Sequence, residues 1–80
     1  MKKDKLFNFY VAIKQFYQYA LLFNSKLDNN TVSVADIINL NEKFNELEKE
    51  YLRSHKILSI ENKFYYSQLK ECYRQILTKN

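Results

Sequence analysis

The side chains that could act as nucleophiles or bases are few in this chain. It has one cysteine, Cys72, and one histidine, His55. Ser54 directly precedes His55, but adjacency along the chain does not place a hydroxyl where the imidazole can accept its proton. Cys72 is expected on the buried stripe of a helix, where a cysteine usually serves as a small hydrophobic residue. The sequence therefore predicts no catalytic nucleophile.

The acidic residues give a similar result. Glu42, Glu46 and Glu50 follow one another at intervals of four, which places them along one side of a helix. Paired carboxylates can perform acid–base chemistry, but this ridge is expected opposite the apolar seam of its helix, in water. One cysteine and one histidine cannot supply the roughly four ligands of a zinc site, and a chain with no glycine cannot form a glycine-rich phosphate loop. We predict a protein that is not an enzyme and has no metal or cofactor.

A basic ridge gives the alternative hypothesis, weak and salt-dependent binding of nucleic acid. Cations near the C-terminus at helical spacing could contact phosphates, and tyrosines beside them could stack on exposed bases. Lysines at the N-terminus would add a basic tail. The acidic middle of the chain opposes this function, and no helix-turn-helix signature is evident. The residues of this alternative are Lys63, Lys70, Arg74, Tyr66 and Tyr73.

The elements that would position these residues are helices. The chain contains no glycine and no proline, so its breaks must come from Asn, Asp and Ser. Asn24–Ser33 reads as a loop in which Asn29 or Asn30 supplies a left-handed conformation, Ser33 resembles an N-cap, and Ser59 can cap a last helix. We predict one domain over residues 1–80, with a basic tail at 1–4 and helices at 4–24, 34–54 and 60–78.

The first of these helices carries too much apolar surface for a small bundle. The stretch FNFYVAIKQFYQYALLF contains seven aromatic rings, and apolar residues cover about twice the roughly 100° stripe that a surface helix needs. The second helix has only a narrow seam, and the third has one apolar face opposite its basic ridge. The predicted seam is Ile37, Leu40, Phe44, Leu47 and Tyr51; the predicted third face is Leu58, Tyr65, Leu69, Cys72, Tyr73, Ile76 and Leu77.

Together these patterns predict an all-α fold, a small three-helix bundle with an aromatic-rich first helix at its centre. Two companion helices would not cover that helix, and the apolar remainder is typical of an interface. We therefore predict a protein–protein interaction module of the inhibitor, antitoxin, immunity or adaptor type, which occludes or bridges a partner protein and self-associates as a homo-oligomer. The expected interface residues are Phe7, Val11, Tyr19 and Leu22.

Composition also indicates the cellular compartment in which the protein is expected. The formal net charge is +4, and it divides along the chain into basic, acidic and basic thirds. A single cysteine permits no internal disulfide and fits a reducing compartment, and no secretory signal is recognised. Lys14, Gln15 and Gln18 interrupt the first apolar segment, which argues against a membrane-spanning helix. The expected location is the cytoplasm, with association at a membrane surface as a lesser alternative.

Overall fold

In a computed structural model that describes residues 2–79, the chain forms three α-helices: α1 (Lys2–Asp28), α2 (Val34–Ser54) and α3 (Ile60–Lys79). A 3-10 turn, His55–Ile57, joins the last two. The predicted three-helix bundle is confirmed, and its second and third helices begin where the sequence indicated. Helix α1 already includes residues 2–4, which were expected to form a tail. Met1 and Asn80, and the side chains of Lys2, Lys3 and Lys79, lie outside the described parts of the chain.

Helix α1 extends four residues beyond its predicted end at residue 24. It closes with a Schellman motif, in which the N–H of Thr31 donates to the carbonyl of Lys26 at 2.9 Å and that of Asn30 donates to Leu27 at 3.1 Å. Asn30 holds the left-handed position that this motif requires, at φ 57°. Leu27 packs against the core, and this contact favours one more helical turn over the polar loop that Asn24 and Ser25 suggested.

Helix α2 begins at the predicted cap. The N–H of Asp36 donates to Ser33 Oγ at 3.2 Å, and the N–H of Ser33 donates to Asp36 Oδ2 at 2.9 Å, which together form a capping box. Asp36 also accepts a hydrogen bond from Lys26 Nζ at 2.8 Å. One carboxylate therefore caps α2 and ties its start to the end of α1. These bonds hold the pKa of Asp36 down at about 2, the Lys26 ammonium being the largest cause.

The core lies along one face of α1. Phe9, Phe16 and Phe23, spaced by seven residues, are almost completely buried. Phe16 packs edge-on against Phe44 of α2 with ring centroids 5.5 Å apart. The predicted seam of α2 is confirmed, since Leu40, Phe44 and Leu47 are buried and Ile37 and Tyr51 pack against them.

Helix α3 meets α2 through stacked aromatic rings. Tyr66 stacks on Tyr51 with centroids 3.7 Å apart, and Tyr73 stacks on Phe44 at 4.2 Å. Their hydroxyls donate to Glu48 and to Asn41, respectively. The start of α3 is capped as predicted, with Ser59 Oγ accepting the N–H of Asn62 at 3.1 Å. The buried face of α3 therefore runs through both of these tyrosines.

This geometry corrects part of the predicted buried face of α3. Leu58, Leu69 and Ile76 are buried as expected. Cys72 is exposed, and the side chains of Tyr65 and Leu77 are more than one third exposed. The reason is a rotation of the helix toward α2, because the stacks with Phe44 and Tyr51 draw Tyr66 and Tyr73 inward and turn Tyr65 and Cys72 outward.

Candidate functional site

The residues that could have suggested catalysis are used structurally. Ser54 is buried, and its hydroxyl donates to the backbone carbonyl of Glu50 at 2.7 Å. The ring of His55 lies edge-on against Tyr51, with centroids 5.4 Å apart. The Ser54 hydroxyl therefore serves its own helix, and the neighbouring imidazole packs on an aromatic ring.

Glu50 departs from the predicted solvated ridge. It is only 6% exposed and accepts a hydrogen bond from Arg53 Nη1 at 3.1 Å. The residue lies three positions after Leu47 and four before Ser54, so it occupies the edge of α2 that meets α1. Small Ala12 on α1 lines the same recess. The expectation that all three ridge carboxylates stand in water was wrong for Glu50, while Glu42 and Glu46 are exposed.

The fold separates the residues of the nucleic-acid alternative into buried tyrosines and more accessible cations. Tyr66 is only 5% exposed, so its ring is not available to stack on a base. Burial is the main cause that raises its pKa to about 12, with the neighbouring Glu48 adding to the rise. Tyr73 is half-buried, and burial likewise raises its pKa. The expected aromatic flank of the basic ridge is thus part of the core.

The cations of that ridge are more accessible than its tyrosines. Lys70 and Arg74 are exposed, and Lys63 is partly buried. The Arg74 guanidinium forms an ion pair with Glu71 on the same helix at 3.6 Å. The ridge therefore has an acid beside it, and it lies next to the edge of α3 from which Tyr66 donates to Glu48 of α2.

The solvent side of α1 carries several apolar side chains that the bundle leaves exposed: Phe7, Tyr10, Tyr17, Leu21 and Leu22. Helical spacing divides it into two stripes, each with steps of three and four residues. The stripe nearer α3, here called the aromatic stripe, consists of Phe7, Tyr10, Lys14, Tyr17 and Leu21. The stripe nearer α2, here called the amide stripe, consists of Asn8, Val11, Gln15, Gln18 and Leu22.

Two contacts fix which companion helix each stripe approaches. Asn62 Nδ2 of α3 donates to the hydroxyl of Tyr10 at 3.1 Å, so the aromatic stripe borders α3. Val11 and Gln15 line a recess with Glu46 and Glu50 of α2, so the amide stripe borders α2.

The amide stripe is indented by two recesses that share Gln15. The first, of about 260 Å³, contains Val11 between the carboxylates of α2 and the amides of α1. The second, of about 290 Å³, is lined by Gln18, Tyr19 and Leu22 with Lys43 of α2. Apolar side chains thus alternate with amides and with charges of both signs along this stripe.

The four predicted interface residues fall in two groups. Phe7 and Val11 are neighbours one turn apart, with Phe7 66% exposed and Val11 partly buried. Leu22 is 50% exposed. Tyr19 lies beside it but turns inward, because its hydroxyl donates to the carbonyl of Asp36 at 3.3 Å. The structure thus leaves Phe7 and Leu22 most open, while Val11 and Tyr19 form walls of the recesses.

Sequence reasoning identified the apolar excess of α1 but not its division into stripes. The steps of three and four in Phe7, Tyr10, Lys14, Tyr17 and Leu21 were present in the sequence as a signal. The burial of Glu50 had no comparable signal, because it depends on how closely α1 approaches α2.

No known protein-family model, curated protein or solved structure matches this chain. Over residues 2–79, none of the helices combines the length and apolarity needed to cross a membrane.

Proposed function

We propose that this protein is a non-enzymatic interaction module that binds a partner protein through the solvent side of α1, and so occludes or bridges a surface of that partner. The observation that carries the proposal is the openness of this helix after the bundle has formed. Phe7 is 66% exposed and Leu22 is 50% exposed, although α2 and α3 both pack against the opposite side. Large apolar side chains held on a rigid helix are typical binding anchors.

The chemistry of the amide stripe suits a partner with mixed character. Val11 and Leu22 offer apolar contact in the two recesses. Gln15 and Gln18 can donate and accept hydrogen bonds at the margins. Lys43 and Glu46 are exposed on the facing side of α2 and can select the charge pattern of the partner.

The test is capture by tagged protein from a lysate of the source organism, comparing wild type with Val11→Glu and Leu22→Glu. A buried anchor replaced by a charge costs at least about 2 kcal/mol of binding free energy, or roughly a 30-fold loss of affinity. Leu52→Glu is the matched control, since Leu52 is 68% exposed on α2, away from α1. Circular dichroism establishes that each variant keeps its helicity.

The expected result is a protein retained by wild type and by Leu52→Glu, lost with both α1 variants, and unaffected by nuclease. If the captured protein still binds the Val11→Glu and Leu22→Glu variants, the binding surface is not the solvent side of α1. Recovery that requires nucleic acid, and that falls when Lys70 and Arg74 are changed to Glu, replaces the proposal with the nucleic-acid alternative.

A further inference from the structure

The aromatic stripe of α1 continues across the seam with α3. On α3, Tyr66 and Tyr73 face α2 through their hydrogen bonds, and Asn62 meets α1 through its hydrogen bond to Tyr10. Beyond Asn62, on the side of α3 away from α2, the surface is exposed. That side carries a line of residues with steps of four and three, here called the α3 stripe: Glu61, Tyr65, Gln68 and Cys72. The two stripes form one face, here called the α1–α3 face, which the fold leaves uncovered.

This face differs in composition from the amide stripe. Its exposed side chains include Tyr10, Tyr17, Leu21 and Tyr65, with Phe7 and Phe64 at its margins. Among the side chains that the structure describes, the charges of this face are Lys14 on α1 and Glu61 on α3. Interfaces between identical subunits are more apolar than those of transient complexes.

We infer that the α1–α3 face is covered by a second copy of this chain, in a two-fold dimer that lays α1 of one protomer over α3 of the other. This inference rests on the proposed function in treating α1 as an interaction helix, and it names the occupant of the aromatic stripe. Of the proposed partner's anchors, Phe7 lies at the margin of this face, whereas Val11 and Leu22 lie outside it on the amide stripe.

The area available matches what a dimer needs. The surface of the structure is 5790 Å², whereas a globular monomer of 9.8 kDa exposes about 5,200 Å². The five rings on and beside the face are about half exposed on average, and at 150–250 Å² for each ring they leave on the order of 500 Å² of aromatic surface. With Leu21 added, two protomers would bury about 1,200 Å², the lower end of stable, specific interfaces.

Charge complementarity favours pairing α1 of one protomer with α3 of the other. Pairing α1 with α1 would place two Lys14 ammonium groups near the two-fold axis, with like charges opposed. Pairing α1 with α3 presents Lys14 of each protomer to the helix that carries Glu61. The Tyr10–Asn62 hydrogen bond sets Glu61 near the level of Tyr10, about one turn from Lys14 toward the N-terminus, and helical side chains lean in that direction. The two charges are therefore within reach of each other across the dimer.

The test is sedimentation equilibrium of the full chain over a series from about 1 μM to about 1 mM. We expect wild type to pass from monomer to dimer within this range. Tyr17→Glu and Leu21→Glu should each weaken association by at least about 30-fold, while Leu52→Glu and Leu22→Glu leave it unchanged. In the pair Lys14→Glu and Glu61→Lys, each single variant should weaken the dimer and the double variant should restore it.

Cys72 provides a second readout that does not depend on hydrodynamics. Its thiol is exposed in the monomer and lies in the α3 stripe, so dimer formation should slow its alkylation as protein concentration rises. Tyr17→Glu should abolish that concentration dependence. A chain that stays monomeric across the series, or a dimer broken by Leu52→Glu and not by Tyr17→Glu, overturns the inference. Either result leaves the proposed function standing, because the capture experiment depends on Val11 and Leu22.

Discussion

Phe16 and Tyr17 are neighbours in the sequence and occupy opposite environments in the fold. Phe16 is 0% exposed, edge-on against Phe44, whereas Tyr17 is 46% exposed. The same contrast repeats one heptad earlier between Phe9 and Tyr10. Aromatic content alone therefore does not say what a ring does in this helix. Its position around the helix axis decides whether it stabilises the bundle or remains available for contact with another molecule.

Among substitutions on the two sides of α1, Phe16→Ala should cause the largest loss of stability. Removing a buried phenyl ring loses its transfer free energy and leaves a cavity beside Phe44 and Tyr73, so we expect the free energy of unfolding to fall by about 3–5 kcal/mol. Urea denaturation followed by circular dichroism measures the change. A loss below about 1 kcal/mol would mean that Phe16 is not in the core.

A smaller loss of stability is expected at the junction between the end of α1 and the start of α2. Ser33→Ala removes the Oγ that accepts the N–H of Asp36, and loss of such a cap costs about 1 kcal/mol. Ser33→Thr is the matched control, because threonine keeps a hydroxyl that can accept this hydrogen bond and donate to Asp36 as the Ser33 hydroxyl does. If the two variants are equally destabilised in urea, the cap does not contribute to the stability of α2.

The same junction gives a pH dependence. The pKa of Asp36 is about 2 in the folded protein and about 3.9 in an unfolded chain, so its contribution is complete above the unfolded value. It should disappear as the pH falls from about 4 to about 2, when the carboxylate becomes protonated. Asp36→Asn should lack this component. Parallel stability profiles for the variant and wild type across that range would contradict the assignment.

A weaker perturbation tests whether α3 is held through Tyr66. The Tyr66 hydroxyl donates to Glu48 Oε2 at 3.3 Å, and Tyr66→Phe should cost about 0.5–1.5 kcal/mol. Because the pKa of this phenol is raised to about 12 and that of Tyr73 is also raised, an ultraviolet titration of wild type should show late ionisation that is reduced, but not abolished, in the variant. Tyr10→Phe is the control, since Tyr10 is about half exposed. If Tyr10→Phe reduces the late ionisation and Tyr66→Phe does not, the phenol with the raised pKa is not Tyr66.

The smallest effect on folding should come from the outer side of α1. Tyr17→Ala should change the free energy of unfolding by no more than about 0.5 kcal/mol when measured on dilute, monomeric protein. The comparison with Phe16→Ala then spans the two environments with adjacent residues. A large loss of stability in the monomer would show that Tyr17 belongs to the fold and would remove it from the α1–α3 face.

The helices were predictable because their signals are local. Ser33 with Asp36, Ser59 ahead of the last helix, and the seam from Ile37 to Tyr51 all depend on residues a few positions apart. The apolar excess of α1 was predictable for the same reason. The local signal was ambiguous at the end of α1, where Asn24 and Ser25 suit a loop and Leu27 suits the core.

The errors concern how the helices rotate against one another. Whether Tyr66 or Tyr65 turns inward depends on the ring of Tyr51, fifteen residues before Tyr66 in the sequence. Cys72 was assigned to the core because α3 was expected to turn a different face inward. Glu50 was assigned to solvent because its position was judged from the pattern of α2 alone, without the approach of α1. Each outcome is set by a contact between helices, which helical periodicity does not encode.

The capping carboxylate of Asp36 also bears on the order of folding. Its bonds to Lys26 and Ser33 span at most ten residues, so the α1–α2 hairpin can close with little loss of chain entropy. Helix α3 contacts both of these helices, through stacks on Tyr51 and Phe44 of α2 and an edge contact of Tyr73 with Phe16 of α1, so its docking site is complete only once the hairpin has formed. We therefore expect α1 and α2 to associate first, while α3 is still being synthesised, and α3 to dock last.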